Sequence, residues 1–259
     1  MDDDQLLWPA PPADISLDWQ AAHVWAVPLQ ISNDAQDHFA KMLTSEERRR
    51  AQSFHFDRHR SRFIAGRGML RTILGRYLHT GPGFVWFEYG RNGKPLLAER
   101  FARSGLQFNL AHCEDLALLA VTRGRVIGID LEQIRTMDDA WELAAIFCSP
   151  REYKEFLALP PADRDAAFFR LWTRKEAWLK ATGKGIGESL DKVEVTLREG
   201  EAARFVRLPE VAGTVANGWT LQELTPAAGF IAALALPGEA AELSCWRWEN
   251  REEFEYAQA

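Results

Sequence analysis

Three carboxylates and one lysine, in two short segments, are the residues of this 259-residue chain best suited to chemistry. The segments are Gly128-Ile129-Asp130-Leu131-Glu132 and Trp172-Thr173-Arg174-Lys175-Glu176-Ala177-Trp178-Leu179-Lys180. In the first, Val126, Gly128, Asp130 and Glu132 alternate with Ile127, Ile129 and Leu131. A period of two describes a strand with one aliphatic and one acidic face. Residues two apart lie roughly 6.5–7 Å apart at Cα, so two inward-leaning acids can share one cation. Gly128 carries no side chain on the acidic face and is expected to leave room for a ligand. The second segment has helical spacing. Trp178, Leu171, Phe168, Leu179 and Trp172 fill one apolar arc, with Glu176 and Lys180 one turn apart at its edge. Lys175 falls inside the arc, so its stem should be buried and its ammonium should snorkel or pair. Pro160-Pro161 and Asp163 mark the start of this helix, and Gly183 marks its stop. Together, the two segments could hold and cut a magnesium-bound pyrophosphate. Spacing alone also allows plainer readings. The acids could be the solvated face of an edge strand, and Glu176 and Lys180 a helical ion pair worth about 0.2–0.5 kcal/mol.

The elements that must position these groups form two halves. Residues 1–20, with prolines at 9, 11 and 12, read as an arm on the surface. A strand is expected at His23–Leu29, and helices at Ser32–Met42, Ser45–Phe54 (with Ser45 beginning the cap) and Arg60–Leu78. Short strands follow at Val85–Tyr89 and Gln107–Leu110, after which Ala117–Val121 and Val126–Glu132 are expected to form a hairpin around Arg123-Gly124. Helices at Asp139–Phe147, Pro150–Leu157 and 165–182 come next. Strands of a second sheet are expected at Val193–Leu197, Phe205–Leu208, Trp219–Leu224 and Phe230–Leu236, and Cys245-Trp246-Arg247-Trp248 is a candidate edge strand. The pattern gives an α+β protein with an arm at 1–20, one lobe at 21–123, and a second at 124–259 that holds the acids and a C-terminal extension. Asp130 and Glu132 lie near the seam, and clefts between halves are common ligand sites.

Charge and composition narrow the partners. With 31 Lys and Arg against 37 Asp and Glu, the net charge is −6, which argues against a general nucleic-acid binder. Nine arginines nevertheless crowd residues 48–76, mostly as a solvated helix face with two or three side chains free to meet a compact polyanion. Three widely spaced cysteines form neither a disulfide framework nor a Cys-x-x-Cys site. The acidic start Met1-Asp2-Asp3-Asp4 is the reverse of a signal peptide, and no apolar run approaches the ~20 residues that span a bilayer. A cytoplasmic protein without membrane contact is expected.

The ordered set of motifs resembles the surfactin-synthetase-activating type of 4′-phosphopantetheinyl transferase. It comprises Phe108-Asn109-Leu110-Ala111-His112, then 128–132, then 172–180 with Gly183-Lys184-Gly185 after it; Asn92-Gly93-Lys94-Pro95 and the stretch Arg58–Arg71 complete it. The resemblance covers residues 43–190. It implies two similar α+β lobes in a pseudo-twofold monomer, each a small, mainly antiparallel sheet packed with helices, with coenzyme A bound between them. It further implies that the phosphopantetheine arm of coenzyme A moves to a serine of an acyl or peptidyl carrier protein, releasing 3′,5′-ADP. By the same resemblance Asp130, Glu132 and Glu176 are the Mg2+ ligands, Glu176 also serves the attacking hydroxyl as base, and Lys180 neutralises the leaving phosphate. Arg50, Arg62, Lys94, His112 and Lys180 are the expected contacts to coenzyme A, Arg62 at its 3′-phosphate. Ala111 and Cys113 stand where the family often has serine, which puts the details of phosphate contact there in question. Two other functions use the same residues. One is a magnesium-dependent nucleotide pyrophosphatase or phosphohydrolase with water as nucleophile; the other is a non-catalytic carrier-binding module.

Overall fold

The computed structural model describes residues 6–90, 93–183, 190–209 and 218–248. Asn92, Lys184 and Gly185 of the motifs, and the acidic start, lie outside the described residues.

The first sheet has the order β11-β1-β5-β4: β1 (Ala21–Pro28), β4 (Leu106–Cys113), β5 (Leu116–Arg123) and β11 (Glu242–Arg247). The second has the order β6-β10-β9: β6 (Gly128–Gln133), β9 (Trp219–Leu224) and β10 (Phe230–Pro237). All pairings are antiparallel except β1 with β11. Two small hairpins stand apart, β2 (Phe87–Tyr89) with β3 (Pro95–Leu97), and β7 (Glu194–Val195) with β8 (Phe205–Arg207). The helices are α1 (Asn33–Met42), α2 (Ser45–Gln52), α3 (Asp57–Leu78), α4 (Ala140–Phe147), α5 (Pro150–Leu157) and α6 (Pro161–Thr182).

Alternation along the strands explains the layering. Trp25 and Val27 of β1, with Leu119 and Val121 of β5, face α1 and α3. Their neighbours Val24, Ala26, Leu118 and Ala120 face the other way and meet Ile129, Leu131, Ala232 and Leu234 of the second sheet. The remaining face of β10, Ala233 and Ala235, meets α6. The sheets therefore stack face to face between two helical layers. Each lobe carries a 22-residue helix, α3 or α6, against the outer face of its sheet. Each fully buried Leu or Ile in the shared layer contributes about 1.5–3 kcal/mol. The α+β, two-lobed reading of the sequence describes this architecture.

Several elements differ from expectation. β5 and β6 do not form a hairpin, because β1 and β4 occupy both edges of β5, and β6 pairs with β10 instead. The tight turn lies one strand earlier, between β4 and β5, at Glu114 (φ 50°). The expected four strands of the second sheet divide, β7 and β8 forming their own hairpin. The final strand crosses to the first lobe and pairs with β1, while Leu6 of the arm bridges to Ala227 beside the second sheet. The segment 124–259 thus does not stay within one sheet. The cap of α2 is Thr44 rather than Ser45. Thr44 Oγ1 accepts from Glu47 N–H while the Glu47 carboxylate accepts from Thr44 N–H. Among the described residues no helix is long and apolar enough to cross a membrane.

Buried cations pin the helices. Lys175, 1% exposed, donates to Glu152 Oε2 (2.7 Å), Leu190 O (2.9 Å) and Phe147 O (3.0 Å). Glu152 in turn accepts from Ser149 N–H and Val195 N–H, both at 2.8 Å. The expected pairing of Lys175 is therefore a fully hydrogen-bonded ion pair that ties α4, α5 and β7 to α6. Arg174 donates to Thr196 O and to Glu223 Oε2 (2.8 Å) on the next face.

Two stability measurements check this packing. Lys175→Met should strand the Glu152 carboxylate and cost about 3–5 kcal/mol in urea unfolding; a loss below ~1 kcal/mol would contradict the lock. Gly128→Ala should cost about 1–3 kcal/mol or more, since a Cβ there would lie 2.0 Å from Ala177 O and 2.3 Å from Ala181 N. Unchanged stability would mean that strand and helix are not so close.

Candidate functional site

The site begins where β6 meets α6. The space opposite Gly128, read from the sequence as room for a ligand, is filled by the backbone of α6 at Ala177 and Ala181. This close approach sets the next acid-face residue, Asp130, against the last turns of the helix. Lys180 Nζ lies 2.5 Å from Asp130 Oδ1. Gly183, at φ +71°, closes the helix in the left-handed conformation that favours glycine.

Asp130 is 6% exposed and Glu176 7%, whereas Glu132 is half-buried at the mouth. Burial pushes the Asp130 carboxyl up to about 7. Lys180 pulls against that rise, and Glu176 and Glu132 add to it. Burial likewise raises Glu176, with Lys180 opposing and Glu132 reinforcing. Asp130 and Glu176 therefore share the field of one ammonium, with Glu132 near enough to raise both. Among the described residues, Asp130 Oδ2 and Glu176 Oε1 are buried with no hydrogen-bond partner. Such oxygens are costly unless a cation or donor meets them. Hard anionic oxygen donors facing inward suit Mg2+, which binds through a few carboxylates and keeps waters. Among the described residues no three His, Cys, Asp or Glu side chains already stand together as a ligand set. Glu132 has Arg135 at 3.7 Å and Cys113 Sγ at 3.8 Å.

The first lobe supplies cations. Lys94, at the start of β3, reaches across the seam and donates to Lys180 O at 2.6 Å. Burial, then Lys180, lowers its pKa. His112, near the end of β4, keeps one side open to solvent. Protein packed around the rest of its ring, then the charges of Lys180 and Arg62, hold its imidazole below the ordinary value. Arg62 of α3 points to the same region, but its guanidinium is held by the β4–β5 turn, Nε on Asp115 (2.7 Å) and a terminal nitrogen on Glu114 (3.1 Å). The structure thus brings together Asp130, Glu132, Glu176, Lys180, Lys94 and His112, with Arg62 beside them. Among the described residues Arg50 makes no contact with this group; its guanidinium lies over the Phe63 ring at 5.4 Å. Ala111 packs into the apolar layer between the sheets.

One positioning residue had no role assigned from the sequence. Asn109 Oδ1 accepts from Ile129 N–H at 2.8 Å, tying β4 to β6 one residue before Asp130. Its sequence signal is a polar residue between Phe108 and Leu110, 6% exposed in the structure. An apolar groove of about 510 Å3 runs from Glu132 past Phe147, Phe168 and Trp172. A larger cavity of about 840 Å3 lies near Arg76 and Trp248 and contains none of the site residues.

The profile described as "4'-phosphopantetheinyl transferase superfamily" matches residues 126–235, and that described as "4'-phosphopantetheinyl transferase, N-terminal" matches residues 30–124. The chain is 43% identical over 244 residues to 4'-phosphopantetheinyl transferase HetI of Nostoc sp. (strain PCC 7120), covering 94% of this chain and 99% of that one. It is 25% identical over 180 residues to 4'-phosphopantetheinyl transferase Sfp of Bacillus subtilis (strain 168), covering 70% and 77%. A solved structure, the holo-[acyl-carrier-protein] synthase of Thermotoga maritima, aligns over 44% of this chain and 63% of that one at 21% identity, with a TM-score of 0.36. The two profiles and the near-full-length likeness to HetI show that the chain belongs to the 4′-phosphopantetheinyl transferase superfamily.

Proposed function

We propose that this protein transfers the 4′-phosphopantetheine arm of coenzyme A to a serine of an acyl or peptidyl carrier protein, with Mg2+ held by Asp130, Glu132 and Glu176. One observation carries the site assignment. Two buried carboxylate oxygens, on Asp130 and Glu176, have no partner among the described residues and stand beside cations contributed by both lobes. That juxtaposition suits a diphosphate bridging a metal and a basic wall. Because Lys94 and His112 come from one lobe and the carboxylates from the other, a single chain supplies the whole constellation, and the enzyme works as a cytoplasmic monomer.

In the reaction the serine oxygen bonds to the phosphorus that bears pantetheine. The bridging P–O bond breaks, and 3′,5′-ADP leaves. Glu176, raised above the ordinary carboxylate range by burial, accepts the serine proton at its carboxylate. Lys180 sets a compact positive charge against the departing phosphate. Lys94 and His112 bind and orient the diphosphate, and Arg62 meets the 3′-phosphate once its fork leaves Glu114 and Asp115. Bound Mg2+ supplies Lewis-acid neutralisation of charge on the diphosphate oxygens.

The test is mass spectrometry of apo-carrier proteins after incubation with the enzyme, coenzyme A and Mg2+. A phosphopantetheine adduct should appear, with 3′,5′-ADP released only when carrier is present; release regardless of carrier would identify a hydrolase. Glu176→Gln should lower kcat by about 10²–10⁴-fold while carrier affinity stays within about twofold. Transfer at the wild-type rate would remove Glu176 from this role.

A further inference from the structure

We infer that Lys180 and the divalent cation are alternative counter-ions of Asp130, and that the substrate diphosphate selects the cation by drawing Lys180 away. The inference rests on the metal and diphosphate reading above and adds a linkage between the two ligands.

Asp130 is buried, and among the described residues it has one partner, Lys180 Nζ, at 2.5 Å from Oδ1, while its second oxygen has none. Asp130 and Glu176 share this ammonium. A divalent cation meeting Oδ2 would stand close to the ammonium on Oδ1, and because two cations on one buried carboxylate repel each other, it disfavours the Lys180 contact. The lysine has somewhere to go. Its side chain is 30% exposed, on the last turn of α6, and ends a flexible four-carbon stem. Its backbone is held in place meanwhile, since Lys94 Nζ donates to the Lys180 carbonyl at 2.6 Å. Lys94 and His112 stand close enough for Lys180 to disfavour their own protonated forms. A diphosphate placed beside Lys94 and Lys180 would relieve the repulsion between the two ammoniums and attract that of Lys180 off Asp130. The carboxylate is then free for the cation. Each ligand thereby favours the other, and by linkage the effect is reciprocal.

The experiment measures Mn2+ affinity by electron paramagnetic resonance of the free ion, with and without coenzyme A, for the wild type, Lys180→Met and Lys94→Met. Without coenzyme A, Lys180→Met should bind Mn2+ at least tenfold more tightly than the wild type, and Lys94→Met less than twofold more tightly. The tightening caused by coenzyme A in the wild type should shrink at least fivefold in Lys180→Met. Lys180→Gln, which keeps a polar end on a shorter stem, should follow Lys180→Met and guards against misfolding of the first variant. Unchanged or weaker Mn2+ binding in both Lys180 variants overturns the exchange. Equal tightening in Lys94→Met overturns it as well, reducing the effect to a general field. The two readings fail separately. Carrier modification by the wild type with Mn2+ affinity indifferent to Lys180 retains the function and removes the exchange; the exchange without carrier modification does the reverse.

Discussion

The backbone of α6 lies against β6 at Gly128, and the site depends on that approach. A methyl group there would overlap Ala177 O and Ala181 N. With strand and helix this close, residue 130 on the strand and residues 176 and 180 on the helix share one small volume. A wider separation would return the acids to water and let each titrate independently. The low exposure of Asp130 and Glu176 and the upward displacement of their carboxyls both follow from this single contact.

The rest of the molecule holds that contact in place. The buried Lys175–Glu152 pair and the Arg174 contacts fix the face of α6 away from β6. Adjacent residues of one helix thus divide the labour, with Arg174 and Lys175 anchoring and Glu176 facing the site. On the other side, the apolar layer between the sheets and the Asn109 bond to Ile129 set the first lobe against β6. Lys94 and His112 are useful only because of this second registration, since both come from the other lobe, Lys94 just before β3 and His112 in β4. The return of β11 to β1 makes the lobes interdependent as well, so neither is a separable segment of the chain.

Much of this is legible in the residues themselves. Alternation around Asp130 and Glu132, the one-turn spacing of Glu176 and Lys180, and the burial of Lys175 all follow from local periodicity. What escaped is non-local. Gly128 shows an absent side chain but not what occupies the space, and here it is helix backbone rather than ligand. The partner of β6 depends on which strand edges remain open, and both edges of β5 are taken. The closure of Arg62 on Glu114 and Asp115 depends on a turn some fifty residues away. At the start of α2, Thr44 and Ser45 are both good caps, and only the reciprocal reach of Glu47 decides between them.

The convergence of strand and helix carboxylates on one cation is tested most directly by anomalous diffraction from crystals grown with Mn2+ and coenzyme A. The account predicts one peak within about 2.0–2.2 Å of oxygens from Asp130 and Glu132, with Glu176 bound directly or through a single water. A peak bound by other residues, or Glu176 turned away beyond the reach of any bridging water, would contradict it.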